Sequence, residues 1–181
     1  MVKDLSENLD KIKITKLDTA HKAKKSSDKK KLMEEWIKEE EKFSLIGWDF
    51  SYVAERWVTE NMPWDYGKII KSTLKNADIL LDMGTGGGEF LLTLEHPYEK
   101  TYVTEAYLPN VELCMSKLAP LGIIVAQTFD DDELPFDNET FDIIINRHES
   151  FDISEVSRTL KPGGYFQGTE TRFVLVARKL S

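Results

Sequence analysis

The sequence predicts an α/β fold: a doubly wound, mainly parallel sheet behind an N-terminal helical extension. Two observations carry that expectation. From residue 77 onward, short continuous apolar runs alternate with helix-like segments, and strands buried on both faces read as runs of this kind. The first run leads straight into a glycine-rich turn and a helix start, the arrangement that presents the carboxyl edge of an open α/β sheet to a ligand.

Residues 1–27 hold few large apolar groups and read as a flexible basic arm. Over residues 1–31, ten lysines stand against five acids, a local charge of roughly +5 in a chain whose other residues are strongly acidic. Residues 28–46 place Leu32, Trp36 and Phe43 at helical spacing among Lys and Glu, predicting an amphipathic helix that Gly47 ends. An aromatic block follows, with Trp48, Phe50, Tyr52, Trp57, Trp64 and Tyr66. It either packs the N-terminal helices onto the sheet or folds over a ligand pocket. Pro63 suits the first turn of a helix running to about Leu74. Within the core, Ile79–Leu81, Tyr102–Val103, Ile123–Ala126 and Ile143–Ile145 predict strands, with helices at about 88–95, 109–119 and 152–160. The expected organisation is an arm at 1–27, a helical, aromatic-rich cap at 28–75 and a core at 76–181, cap and core forming one domain.

Composition narrows the function. The chain has 181 residues and a formal net charge of -8. An acidic body repels nucleic acid unless a local patch overrides it, and the basic arm is the segment that supplies one for an RNA partner. No apolar run reaches the ~18–20 residues of a membrane span. The N-terminal segment lacks the apolar stretch of a signal peptide, so a soluble, cytoplasmic protein without membrane attachment is expected. The single cysteine, Cys114, excludes an internal disulfide and a Cys-based zinc cage. Its place in the helix candidate VELCMSKL makes it a small core hydrophobe, and no metal site is proposed.

The strongest local signal is Leu81-Asp82-Met83-Gly84-Thr85-Gly86-Gly87-Gly88-Glu89-Phe90. A tight strand-to-helix turn needs positive φ, and a ligand approaches backbone closely only where no Cβ intrudes. Asp82 ends the strand, where its carboxylate orients the turn or accepts from an ammonium group. Glu105 ends the second run and is placed to accept from ribose hydroxyls. A dinucleotide fingerprint would need Gly or Ala where Glu89 stands, and a carboxylate there opposes a pyrophosphate. A nicotinamide enzyme is therefore disfavoured.

The pattern from Asp82 to Gly88 is D-x-G-x-G-x-G. It resembles the class I S-adenosylmethionine-dependent methyltransferases, most closely the ubiquinone/menaquinone-biosynthesis branch. The resemblance covers about residues 44–179 and rests on ordered motifs: LDMGTGGGEF, VTEAY, FDDDELPFDNETFDIII and LKPGG. It implies a Rossmann-like sheet with an antiparallel last strand and S-adenosyl-L-methionine as cofactor. By the same match, Asp82, Gly84, Thr85, Gly86 and Gly88 form the cofactor turn. Glu105, with Ala106 after it, holds the ribose. Asp130 and Asp131 meet the adenine, and Asn146 closes the site at the end of the fourth strand.

The sequence also departs from that family. Members usually carry a helix and a further strand between the fifth and the last, and here Phe173–Arg178 follows almost at once. A hairpin through Gly168 would join the two strands directly, leaving a sheet edge able to pair with a second copy. After the fourth strand, Arg147-His148-Glu149 offers a base, and His148 suits proton abstraction near neutral pH. The expected function is methyl transfer to a small-molecule acceptor, with RNA as the other acceptor class. The alternative is a non-catalytic cofactor-binding or partner-binding module.

Overall fold

A computed structural model gives the fold. It describes residues 26–42, 47, 49–56, 61–130, 133–170 and 173–180. The chain divides between residues 44 and 45 into two compact units. In the first, α1 (Ser26–Lys42) is amphipathic. Leu32, Met33, Trp36 and Ile37 share one face by their spacing, and all four are exposed. The helix starts two residues before the expected position. The arm at 1–25, and Phe43 of the expected helix, lie outside the described residues. Among the described residues no helix is long and apolar enough to cross a membrane.

The second unit is built on a six-stranded sheet in the order β3-β2-β1-β4-β5-β6. The strands are β1 (Leu80–Met83), β2 (Thr101–Glu105), β3 (Ile124–Gln127), β4 (Phe141–Arg147), β5 (Leu160–Glu170) and β6 (Phe173–Arg178). All neighbours pair in parallel except β5 and β6, which are antiparallel. The helices are α2 (Tyr66–Thr73), α3 (Glu89–Leu92), α4 (Leu108–Lys117) and α5 (Ile153–Thr159). Strand residues alternate between faces, and the two faces carry separate cores. Leu80, Ile143 and Ile145 pack with Ile70, Leu91 and Leu118, whereas Leu81 and Ile144 pack with Phe141, Val156 and Leu160. Burial on both sides is why β1 and β4 read as unbroken apolar runs. The strand order reverses between β1 and β4, a switch point where an open α/β sheet leaves a crevice at its carboxyl edge.

Several boundaries differ from expectation for local reasons. The helix expected from Pro63 begins at Tyr66, because the Asp65 side chain caps it by accepting the Lys68 N–H at 3.0 Å. The helix expected over 88–95 ends at Leu92. Leu94 N–H bonds back three residues to the Leu91 carbonyl, and Glu95 takes φ 57, so the chain leaves after little more than one turn. Lys161–Gly164, in the LKPGG motif, forms an irregularity within β5, where the β4–β5 register shifts between Phe141 and Ile143.

The β5–β6 hairpin exists, but it does not turn at Gly168. Gly168 pairs with Leu175 inside the ladder, and pairing continues to Glu170 opposite Phe173. Gly168 has no positive φ and stays extended; residues 171–172 lie outside the described residues. β6 forms one edge of the sheet, with Leu175 and Val176 about half exposed.

Candidate functional site

The switch point gathers the end of β1, the glycine turn and the ends of β2 and β4. Asp82 is 1% exposed and its Oδ2 accepts the Thr85 hydroxyl at 2.8 Å. Burial pushes its carboxyl up to about 6. The Thr85 bond and the Arg147 guanidinium pull it down, and Glu105 adds to the rise. Through Thr85, Asp82 holds the first residues of the turn.

The turn runs from Gly84 to Gly88, with Gly84, Gly86 and Gly88 at φ 60, 66 and 76, a backbone that residues with side chains rarely adopt. Its polar groups are held from two sides. Thr85 N–H donates to the Thr104 carbonyl at 3.2 Å, and Gly86 N–H to Glu105 Oε2 at 2.8 Å. From α4, the Cys114 thiol donates to the Gly86 carbonyl at 3.1 Å. Lys117 Nζ donates to the Gly87 carbonyl at 3.1 Å and to Glu89 at 2.9 Å. Asn110, Cys114 and Lys117 recur at i, i+4 and i+7, so one face of α4 meets the turn. Asn110 Oδ1 also accepts the Gly47 N–H at 2.6 Å, fastening Gly47 beside Gly87. Cys114 is fully buried, as its sequence context suggested, and burial pushes its thiol up to about 12. Gly88 also serves packing beneath the turn: a Cβ there would lie 2.7 Å from the Leu118 side chain.

Glu105 is buried at the end of β2. Its Oε1 accepts the N–H groups of Ala106 and Tyr107 at 3.1 and 3.2 Å, while Oε2 holds Gly86. Ala106 therefore enters the site through its backbone. Thr128 N–H donates to the Glu105 carbonyl at 3.1 Å, and Asp130, two residues further on, is exposed. Asp131 lies outside the described residues.

At the end of β4, the buried Asn146 carboxamide closes the loop that follows. Its Nδ2 donates to the Glu149 carbonyl at 3.0 Å and its Oδ1 accepts the Glu149 N–H at 3.1 Å. His148 takes φ 70 and its side chain is exposed. Three further side chains were not singled out from the sequence. The Tyr66 hydroxyl donates to the Gln167 carbonyl at 2.5 Å, and its ring stacks on Phe90 at 5.6 Å. The Arg147 guanidinium covers the other partner of that stack, 4.1 Å from the Phe90 centroid. The Leu134-Pro135-Phe136 segment lines a separate open cavity of about 630 Å³ with Tyr102, Thr140 and Arg158. That cavity lies by the starts of β2 and β4, at the opposite end of the sheet from the glycine turn.

Residues 81–167, from within β1 to within β5, match the family described as methyltransferase domain. This segment, just under half of the chain, is similar to a methyltransferase domain. The chain is 31% identical over 94 residues to a phthiotriol/phenolphthiotriol dimycocerosates methyltransferase of Mycobacterium tuberculosis, covering 48% of this chain and 34% of that one. It is 30% identical over 118 residues to a fatty-acid O-methyltransferase of Mycolicibacterium smegmatis, covering 58% and 43%. The chain thus spans between a third and a half of the length of these curated relatives. A SAM-dependent methyltransferase from Aquifex aeolicus superimposes with a TM-score of 0.51 at 27% identity, over 58% of this chain and 63% of that one.

S-adenosylmethionine is the cofactor these likenesses imply for the domain, and the residues present fit it. Asp82, Glu105 and Glu149 surround the turn. That donor set opposes a pyrophosphate and suits a cationic ligand with hydroxyl and amine donors. Gly84, with positive φ and no side chain, lets the Glu149 carboxylate rest directly on the turn's backbone.

Proposed function

We propose that this chain transfers a methyl group from S-adenosylmethionine to a small-molecule acceptor. The observation that carries the reading is Glu105, whose carboxylate ties the end of β2 to the glycine turn through Gly86. An acid fixed there is set to accept from ribose hydroxyls, and we assign the adenine to Asp130 and Asp131 and the amino-acid end to the backbone of Gly84–Gly86. When bound, the cofactor supplies a methyl group on a sulfonium sulfur, already activated for in-line displacement. The residues of the chain supply orientation and exclusion of water. We assign His148 the removal of a proton from acceptors that carry one at the reacting atom.

The acidic body favours a small acceptor over a nucleic acid, and one relative is named for fatty acids. The test is transfer of label from methyl-labelled S-adenosylmethionine to a panel of fatty acids, alcohols and phenols, with RNA as the contrasting acceptor. Label is expected in a small-molecule fraction. Glu105→Ala is expected to lower it by roughly 10- to 100-fold, the worth of one or two hydrogen bonds to a charged group. A second reading, a cofactor-binding module without transfer, draws on the direct β5–β6 hairpin, which leaves no element between those strands to enclose an acceptor. Cofactor binding with no label in any fraction would favour it.

A further inference from the structure

We propose that Glu149 is the carboxylate that receives the α-ammonium group of the cofactor at the glycine turn. The assignment rests on the reading that this edge binds S-adenosylmethionine, and it names the residue that meets the positive charge at the ligand's amino-acid end.

Three acids reach the turn, and their surroundings divide their work. Asp82 lies beneath it, 1% exposed, with the Thr85 hydroxyl on its Oδ2. Glu105 stands on the β2 side and has the backbone of Gly86, Ala106 and Tyr107 on its two oxygens. Glu149 comes from the β4 side and lies against Gly84. A methyl group built on Gly84 would stand 2.5 Å from Glu149 Oε2 and 2.8 Å from its Cβ. The carboxylate therefore rests on the bare backbone where β1 enters the turn, with no side chain between.

The position is held by β4. Both backbone groups of Glu149 bond to the Asn146 carboxamide, and Asn146 is itself 3% exposed in the sheet. The left-handed His148 makes the reversal that returns the chain over the turn. Arg147, between them, places its guanidinium over Phe90, with Asp82 as its largest charged influence. A cationic amine arriving at Gly84 thus meets a carboxylate, while the neighbouring guanidinium is held to the side.

Two ligands separate this assignment from the reading beneath it. S-adenosylhomocysteine carries the ammonium, and 5′-methylthioadenosine has the same nucleoside without the amino-acid end. Calorimetric titration of the whole chain and of Glu149→Gln with each is the test, with Glu149→Ala as a second variant. Glu149→Gln is expected to weaken S-adenosylhomocysteine roughly tenfold or more, and to leave methylthioadenosine within about twofold, the ratio of a contact that is not made. Equal effects on both ligands, or none on either, would overturn the assignment alone. Failure of the unaltered chain to bind either ligand would overturn the cofactor reading and the assignment together.

Discussion

Asp82 is a carboxylate folded into a place that penalises its charge. Burial raises it to about 6 from an ordinary 3.8, which corresponds to roughly 3 kcal/mol against the ionised form. A raised carboxyl stabilises the fold fully below its ordinary value, and that contribution is lost as pH rises through about 6. Asn keeps an acceptor for the Thr85 hydroxyl without the charge. Asp82→Asn is therefore expected to be more stable than the unaltered chain at pH 8, by up to about 3 kcal/mol, with the gap closing near pH 4. Urea unfolding at both pH values checks this, and a pH-independent gap would contradict it. Asp82 and Glu105 were legible in the sequence because each ends an apolar run. Arg147, Phe90 and Tyr66 were not, because their meeting joins β4, α3 and α2 across many residues of chain.

At the scale of elements, α5 holds the Leu134–Asn138 segment through two side chains, Arg158 and Glu155. Arg158 donates to the Leu134 carbonyl at 3.0 Å, the Phe136 carbonyl at 2.7 Å, Asn138 Oδ1 at 3.0 Å and both oxygens of Glu155. Arg158, followed by the Leu134 N–H, holds the Glu155 carboxyl down at about 2. Its stabilising contribution is present above the ordinary 4.5 and fades as pH falls toward about 2. Arg158→Ala is expected to cost about 2 kcal/mol at neutral pH, and its deficit should shrink through that acid window. Parallel pH series of denaturant unfolding would show the two curves converging; parallel curves would refute the clamp. The α4 face belongs to the same scale. The sequence predicted a helix over 109–119 but not which side of it meets the turn, so Asn110 and Lys117 went unmarked and Cys114 was read only as core. The hairpin was legible as an element and misplaced by a few residues. Gly168 looks like a turn residue in isolation, yet the ladder to β6 keeps it extended.

For the molecule as a whole, the fold followed from a pattern that burial on two faces imposes. Four apolar runs marked four of the five parallel strands, and the ordered motifs placed the antiparallel last strand beside the fifth. The ligand edge follows from strand order, since reversal between β1 and β4 opens the crevice that the glycine turn borders. The acceptor was not legible, because no motif after β4 names a reacting atom, and Arg147-His148-Glu149 gains meaning only from the loop that Asn146 closes.

The most direct test of the account is calorimetric titration of the purified chain with S-adenosylmethionine and, separately, with NAD, repeated on Glu105→Ala. The account predicts micromolar binding of S-adenosylmethionine, on the order of -8 kcal/mol, lost in the variant, and no binding of NAD. Absence of S-adenosylmethionine binding, or binding that survives Glu105→Ala unchanged, would contradict it.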